Sequence, residues 1–224
     1  MLIRDWMTKE VVTVTPETSM MKASKILKEN KFRRLPVVDE KGQLLGIVSD
    51  RDIKEASPSK ATTLDVHEIY YLLSEIKVKD IMSKAPATLK PTDTVEQAAI
   101  MLEEKTIGGL PVVDENDKVV GVITDTDIYR VLISITGARY GGLQLGFEVP
   151  EAQGVLAEII DEVVKLGGRI VSVLTSFESG REDARQVYVR IRPMDRGQED
   201  SLVEAVQKKF KLLYWARDNV HPVD

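Results

Sequence analysis

The hexapeptide Leu-Pro-Val-Val-Asp-Glu stands at residues 35–40 and again at residues 110–115. Extended in both directions without a gap, this match covers residues 3–53 and 78–128, and 18 of its 51 positions are identical. Two copies are too few for a solenoid, in which about three or more repeats bury a continuous core. We therefore predict that the two copies pair with each other about a pseudo-twofold axis, which creates two equivalent clefts at their seam.

Each copy has the pattern of a strand, a helix, two strands and a second helix. In the first copy the β-branched residues 11–14 predict a short strand, and Ser19 is a candidate N-cap before apolar residues at helical spacing. Residues 35–38 and 44–48 predict two strands joined by a turn, and a helix begins near Asp50. The second copy repeats this βαββα order.

The two copies form a predicted first domain of residues 1–137. The first repeat covers about 3–57 and the second about 78–135, with a connector at 58–77 that has the apolar spacing of a helix. Glycines around position 140 then mark a linker.

The remaining residues, 143–220, have a different pattern and predict a second domain. Its predicted elements are a strand at 143–149, an amphipathic helix from 155, strands at 170–177 and 186–191, a helix at 201–210 and a strand at 212–216. This βαββαβ order is the split-βαβ plan of ferredoxin-like domains. The predicted fold class is therefore α+β.

The composition excludes several kinds of active site. The chain has no cysteine, which excludes disulfides, thiolate metal sites and cysteine nucleophiles. Its only histidines are His67, interpreted as a surface or interface residue, and His221. No Ser-His-Asp set, P-loop or dinucleotide-binding GxGxxG can be assembled. We therefore expect no catalytic residues, no metal and no required cofactor.

Charge and hydropathy limit the expected partners and location. The net charge of −5 argues against nucleic acid as the main partner. No stretch approaches the roughly 18 apolar residues of a membrane span, and the first residues lack the apolar run of a signal peptide. We expect a cytoplasmic protein that contacts neither membranes nor nucleic acid.

The repeated strand and the motif that follows it carry a family resemblance. Some ten residues after Leu-Pro-Val-Val-Asp, each copy has a Gly-hydrophobic-x-Ser/Thr-x-x-Asp sequence, which resembles the CBS domain, named for cystathionine β-synthase. The resemblance spans essentially all of residues 1–135. CBS domains work in pairs, and such pairs typically bind adenosyl ligands as sensors. The resemblance therefore implies a regulatory ligand such as AMP, ADP, ATP or S-adenosylmethionine.

The same resemblance implies which residues bind the ligand. The motif aspartate binds ribose hydroxyls, the Ser/Thr lies near ribose or phosphate, and the main chain of the Leu-Pro strand lines the adenine. The copies differ just before that strand, where Phe-Arg-Arg at 32–34 becomes Ile-Gly-Gly at 107–109. Arg34 resembles a phosphate-binding residue, and a guanidinium suits that bidentate contact. The predicted ligand-binding residues are Thr13, Arg34, Leu35, Pro36, Ser49, Arg51, Asp52, Thr88, Gly109, Leu110, Pro111, Thr124, Thr126 and Asp127.

A structural explanation of these residues stays open beside the functional one. Ser49 with Asp52, and Thr124 with Asp127, open helices and have the spacing of a capping box. Capping alone accounts for both residue types, with about 0.5–2 kcal/mol for each cap. Arg34 is equally compatible with a solvated turn. A structural oligomerisation or interaction module with empty clefts is therefore the alternative function.

The run at residues 149–157 resembles the ACT domain, a small-molecule-binding regulatory module, and this resemblance covers about 143–217. In ACT domains a glycine in the first strand–helix loop lets an amino-acid ligand approach backbone N–H groups. Gly154 is the matching position, and the possible ligand loop is Gly154, Val155 and Leu156. The usual acidic-x-Pro-Gly order is rearranged here. Amino-acid sensing and assembly through a sheet edge are both open roles for this domain.

A CBS pair followed by an ACT-like domain resembles the bacterial acetoin-utilisation protein B group. We expect a non-catalytic sensor whose ligand changes the geometry of a homodimer, and the ACT-like domain or a partner metabolic enzyme responds to that change. The homodimer is expected because apolar helix positions are left over after packing within the chain. The candidate positions are Met20, Ile26, Ile100 and Met101.

Overall fold

A computed structural model describes residues 1–57, 71, 73–177 and 183–217, together with the backbone of residues 220–222. The helices described are α1 Met20–Asn30, α2 Asp50–Ala56, α3 Val78–Ile81, α4 Val95–Glu104, α5 Asp125–Thr136, α6 Val155–Lys165 and α7 Arg196–Lys209. The strands described are β1 Arg34–Val38, β2 Leu44–Ser49, β3 Ser83–Lys84, β4 Gly109–Val113, β5 Val119–Thr124, β6 Gln144–Pro150, β7 Ile170–Ser176, β8 Ala184–Ile191, β9 Leu212–Ala216 and β10 Val220–Pro222. Within the described parts of the chain, no helix is both long and apolar enough to cross a membrane.

Backbone contacts divide the chain into two compact units, Met1–Tyr129 and Arg130–Asp224. The domain limits predicted from the sequence, 1–137 and 143–220, stay predictions. The connector prediction falls mainly on residues 58–70 and 72, which lie outside the described residues, and so does His67.

The two copies of the first unit fold alike, as the repeat predicts. Strands β1 and β2 are antiparallel with a register shift between Val37 and Val38, and β4 and β5 have the same shift between Val112 and Val113. The β1–β2 and β4–β5 hairpins predicted by the repeat are confirmed. The core positions also recur at an offset of 75, and these buried pairs include Val14 with Leu89, Ala23 with Ala98, Leu27 with Leu102, Leu35 with Leu110 and Val48 with Ile123.

The copies are joined by reciprocal backbone hydrogen bonds. Near the hairpin turns, the N–H of Leu44 donates to the carbonyl of Asp117 at 3.0 Å, and the equivalent bond joins Val119 to Gly42 at 3.2 Å. Adding 75 to the donor Leu44 gives the donor Val119, and subtracting 75 from the acceptor Asp117 gives the acceptor Gly42. Such reciprocal pairing is what a pseudo-twofold axis between the copies requires, and it confirms that part of the predicted fold class.

The opening segment of each copy packs on the other copy. The N–H of Ile3 donates to Asp93 at 2.9 Å, and the equivalent N–H of Val78 donates to Thr18 at 2.8 Å. Strand β3 then pairs with β2 of the first copy. The segment with Met82 and β3 crosses β2 at Gly46. A Cβ there would lie 2.7 Å from the Met82 sulfur, which explains the glycine at this position. Each copy therefore completes the other.

The predicted strand at residues 11–14 is wrong in length. Only Val14 forms a bridge, in parallel with Val37, through backbone bonds to Pro36 and Val38 at 3.0 and 2.9 Å. A β-branched sequence favours an extended backbone, but a strand also needs a neighbour along its whole length, and Val12 is exposed instead. The prediction that Ser19 caps α1 is confirmed, because its side chain accepts a hydrogen bond from the Lys22 N–H.

The apolar face predicted for dimerisation is partly wrong. Met20 is fully buried in the core of the first copy and is not available to a second chain, whereas Ile26 packs against that core and is half-buried. Both belong to the first turns of α1, where the helix lies on the β1–β2 hairpin. Ile100 on α4 is 53% exposed and Met101 is half-buried.

The second unit contains an antiparallel sheet with the strand order β10-β9-β6-β8-β7. Without β10, this order and the βαββαβ connectivity are those of the predicted split-βαβ plan, which is confirmed. One face of the sheet packs on α6 and α7. The core includes Leu145, Phe147, Val187 and Val189 from the sheet with Ile159, Val163, Leu202 and Val206 from the helices.

Two limits of the second unit differ from the prediction. Helix α7 begins at Arg196, five residues before the predicted start, with Asp195 as its N-cap. Its first turn is polar and includes Gly197, so apolar periodicity could not detect it, although the cap residue could have. Strand β8 begins at Ala184, two residues early. The residues between the two predicted strands also predict a turn at 179–183, and four of these five residues, 179–182, lie outside the described residues.

A buried ion pair ties α7 to the end of the sheet. Glu199 is only 2% exposed, and its carboxylate contacts the guanidinium of Arg217 just beyond β9. The other carboxylate oxygen accepts from the Met194 N–H at 3.3 Å. Removing one partner of a buried pair leaves the other charge without compensation, which costs more than the pair itself contributes.

We predict that Glu199→Ala lowers the free energy of unfolding of the second unit by about 3–5 kcal/mol. The matched control is Asp200→Ala, because Asp200 lies 3.9 Å from the same guanidinium but its side chain is 68% exposed. We expect the control to change stability by less than about 0.5 kcal/mol. Urea denaturation followed by the fluorescence of Trp215, in a Trp6→Phe background, measures both. Equal losses for the two variants would contradict the prediction.

Candidate functional site

The two copies of the first unit enclose a cleft of about 830 Å³ at their seam. This volume is typical of small-molecule sites. We call it the Asp52 cleft. The first copy lines it with the end of β2 and the start of α2, and the second copy with the end of α4 and the start of β4. Its lining residues are Arg33, Arg34, Ile47, Ser49, Asp50, Arg51, Asp52, Glu55, Ser83, Leu102, Glu103, Thr106, Ile107, Gly108 and Asp125.

The first-copy motif forms a complete capping box at the start of α2. The backbone N–H and the hydroxyl of Ser49 both donate to Oδ2 of Asp52, each at 2.7 Å, and the Asp52 N–H donates back to the hydroxyl oxygen at 3.2 Å. The structural explanation of this motif is therefore confirmed. Both bonds to the carboxylate fall on Oδ2, so Asp52 retains acceptor capacity on Oδ1 for a ligand in the cleft.

The second-copy motif has the same local bonds in a different environment. The N–H and hydroxyl of Thr124 donate to Oδ2 of Asp127 at 2.9 and 2.7 Å. Asp127 is only 2% exposed, however, whereas Asp52 is half-buried. Neither Thr124 nor Asp127 lines the Asp52 cleft, and Thr126 is exposed on the first turn of α5.

Arg34 crosses the seam to its own repeat partner. Its Nη1 donates to the carbonyl of Gly109, the position 75 residues later, at 2.8 Å. A Cβ at Gly108 would lie 2.9 Å from Arg34 Nη2, and a Cβ at Gly109 would lie 3.5 Å from Arg34 Cδ. The absence of a side chain at Gly108 therefore leaves the space in which the Arg34 guanidinium lies, and Gly109 is in ordinary contact with it.

The environment of Arg34 is mixed. Burial lowers the pKa of its guanidinium, whereas the nearby carboxylate of Asp125 acts in the opposite direction. The group stays charged at neutral pH, because an arginine is not deprotonated in proteins. Arg34 thus places a partly desolvated positive charge at the edge of the cleft.

The other two arginines of the cleft are held only by exposed ion pairs. Arg51 contacts Glu55 at 2.8 Å with side chains 85% and 65% exposed, and Arg33 lies 4.0 Å from Asp125. Exposed pairs of this kind contribute about 0–1 kcal/mol. Both guanidinium groups can therefore turn to an anionic ligand at little cost.

The structure brings four of the predicted ligand-binding residues together in the cleft: Arg34, Ser49, Arg51 and Asp52. Gly109 joins them through its carbonyl. The others do not line this cleft. Leu35, Pro36, Leu110 and Pro111 are buried in β1 and β4, and Thr13 and Thr88 are half-buried. The ligand contacts themselves stay predictions.

Sequence reasoning missed the residues that the second copy contributes to the cleft. They include Glu103, Thr106 and Ile107, which lie outside the recognised motif, and Asp125, which stands at an unspecified position within it. The repeat itself contains the information that could have found them. In the cleft, the first-copy motif lies opposite residues 106–108 of the second copy, which precede β4.

The glycine of the possible ACT ligand loop has a local explanation. Gly154 is the N-cap of α6 with φ at +92°, a backbone conformation that favours glycine. A Cβ there would meet no atom within 4 Å. Val155 and Leu156 pack against the core of the second unit. Amino-acid binding at this loop stays a prediction.

Comparison with known proteins identifies the first unit. The CBS domain family matches residues 3–59 and 78–134, which are the two copies. A CBS domain-containing protein of Dictyostelium discoideum is 34% identical over 134 residues, which cover 60% of this chain and 92% of that protein. L-aspartate semialdehyde sulfurtransferase of Methanocaldococcus jannaschii is 32% identical over 58% of this chain, but the match covers only 23% of that enzyme.

Solved structures of CBS pairs are similar to the same part of the chain. The CBS domain pair of protein MJ0100, in complex with 5′-methylthioadenosine and S-adenosyl-L-methionine, has a TM-score of 0.50 and 30% identity, covering 62% of this chain and 98% of that one. CBSX2 in complex with AMP has a TM-score of 0.50 and 32% identity, covering 60% and 97%. A putative acetoin utilization protein from Vibrio cholerae has a TM-score of 0.52 and 28% identity, covering 62% and 95%. With both copies matched in sequence and fold, the chain belongs to the CBS domain family and contains a tandem pair of CBS domains.

Proposed function

We propose that this protein is a non-catalytic sensor that binds an adenine nucleotide or a related adenosyl ligand in the Asp52 cleft. The observation that carries this proposal is the cleft itself, which combines the CBS motif of one copy with three arginines at the seam. The CBS pairs described above that were solved with AMP, with 5′-methylthioadenosine and with S-adenosyl-L-methionine support the ligand class.

Each part of the cleft suits one part of such a ligand. Asp52 is half-buried and offers a charged acceptor to ribose hydroxyls. The apolar side chains of Ile47, Leu102 and Ile107 line the cleft and suit a purine ring. Arg34, which already donates to a carbonyl, can donate to a phosphate from the same position.

We further propose that ligand binding acts through a homodimer and the ACT-like second domain. A ligand that contacts both copies changes how they meet at the seam. Apolar side chains that a second chain could cover remain exposed, notably Ile100 on α4 and Tyr129 and Leu132 on α5, each more than half exposed. A partner metabolic enzyme could respond to the resulting geometry.

One observation favours the alternative, a structural module with empty clefts. The capping boxes explain Ser49 with Asp52 and Thr124 with Asp127 without any ligand. They do not explain Arg34, whose partly buried guanidinium donates across the seam to the Gly109 carbonyl. The sensor function is therefore the better supported.

We predict that an adenosyl ligand stabilises the folded chain. At about 100 times its dissociation constant, the ligand adds about 2.7 kcal/mol to the free energy of unfolding. For a chain of this size, the melting temperature rises by roughly 5–10 °C. Thermal melts with AMP, ADP, ATP and S-adenosylmethionine measure the shift. Unchanged melting with all four ligands would remove the sensor function.

We predict that Arg34→Ala separates phosphate binding from adenosine binding. The loss of a charged hydrogen bond costs about 1.5–3 kcal/mol, or about 10–150-fold in the affinity for AMP. The affinity for adenosine should change less than about 3-fold, because adenosine has no phosphate for the guanidinium to contact. Calorimetric titration of the variant with both ligands is the measurement. Equal losses would show that Arg34 does not contact phosphate.

We predict that the full-length chain is a homodimer at tens of micromolar and that Ile100→Glu weakens it. A charge at a position that is 53% exposed disrupts an apolar interface without disturbing the core. Light scattering gives the mass of both proteins, and circular dichroism checks that the variant is folded. A monomeric wild-type chain would exclude signalling through dimer geometry.

A further inference from the structure

We infer that the two clefts of the seam are not equivalent: the adenosyl ligand binds only in the Asp52 cleft, and Asp127 is a structural helix cap. The chain then binds one ligand. This inference rests on the proposed function and adds to it that the second cleft does not bind the ligand and that the stoichiometry is one. Three features of the described residues carry it: the burial of the two motif aspartates, the segments that face them, and the position of the arginines.

The first feature is burial. The two aspartates make the same bonds to the residue three positions before them, so the local backbone does not distinguish them. Asp52 is half-buried and lines the cleft, whereas Asp127 is 2% exposed and does not. A ribose that approached Asp127 would first have to displace the atoms that cover it, whereas the Asp52 cleft needs no such change.

The second feature is the segment that faces each motif. The Asp52 cleft is lined by Thr106, Ile107 and Gly108 of the second copy. By the pseudo-twofold relation, the positions that face Thr124 and Asp127 are 31–33 of the first copy, where Lys, Phe and Arg stand instead. The position of Gly108, which has no side chain, thus corresponds to an arginine on the other side. Arg33 lies 4.0 Å from Asp125 on that side, whereas Gly108 leaves room for Arg34.

The third feature is the asymmetric arginine. Arg34 fills the space that Gly108 and Gly109 leave and lines the Asp52 cleft. The equivalent position in the second copy is Gly109 itself, and the equivalent of Arg51 is Thr126. The second copy therefore has no arginine at the positions equivalent to Arg34 and Arg51. The arginines that suit a phosphate therefore all belong to the first copy.

The test compares Asp52→Asn with its matched control Asp127→Asn in the full-length chain. Asparagine keeps one acceptor oxygen for the cap but loses the charge, so both variants should lose similar stability in thermal melts. Titration calorimetry with AMP should give one site per wild-type chain. We expect Asp52→Asn to weaken AMP binding by at least about 10-fold and Asp127→Asn to change it by less than about 2-fold.

A second variant keeps the inference testable if an aspartate variant fails to fold. Gly108→Val places a side chain in the Asp52 cleft and displaces Arg34, because even a Cβ there would lie 2.9 Å from Nη2. Its AMP affinity should fall by at least about 10-fold. Unchanged affinity in this variant, two sites per wild-type chain, or a larger loss in Asp127→Asn would each overturn the inference. No binding of AMP, ADP, ATP or S-adenosylmethionine by the wild type would overturn the proposed function as well, so the two failures are distinguishable.

Discussion

The structure of the first unit depends on the exchange of backbone hydrogen bonds between its two copies. Ile3 and Val78 each donate to a loop of the other copy, and the hairpin turns are joined by the reciprocal bonds of Leu44 and Val119. A backbone donor buried without a partner is costly, so neither copy is complete alone. The seam is therefore a necessary part of the fold, and a cleft that lies in it is held by both copies at once.

The two copies share a fold, but the side chains that they place at the seam differ. The strand and helix positions of the copies are nearly interchangeable, and their buried side chains correspond pair by pair. One difference that bears on the cleft lies at the start of β1 and β4, where Arg33 and Arg34 correspond to Gly108 and Gly109. Because the Asp52 cleft takes residues from both copies, a change in either copy alters it. A Cβ at Gly108 would lie 2.9 Å from Arg34 Nη2, so the glycine there gives the guanidinium its space.

Local patterns allowed most of the fold to be predicted from the sequence. The Ser19 cap, the β1–β2 hairpin and the βαββαβ order depend on neighbouring residues, and each was predicted. The length of the strand before α1 was not, because the number of its backbone partners depends on tertiary packing. The cleft was predicted only in part, because some of its residues are also brought together by tertiary packing. The motif residues of the first copy are local, whereas Glu103 and Ile107 of the second copy reach the cleft only through the pairing of the copies.

The capping box does not compete with ligand binding, because the two use different parts of one carboxylate. Oδ2 of Asp52 accepts both bonds from Ser49, and a ribose would bond to Oδ1. A cap contributes about 0.5–2 kcal/mol to the helix whether or not a ligand is present. The ligand's bond adds about 1.5–3 kcal/mol only when it is bound. The box therefore holds the carboxylate in place before binding, so that the ligand does not have to order it. A motif that stabilises the fold at Asp127 can in this way serve recognition at Asp52, and the difference between them lies in what surrounds the carboxylate.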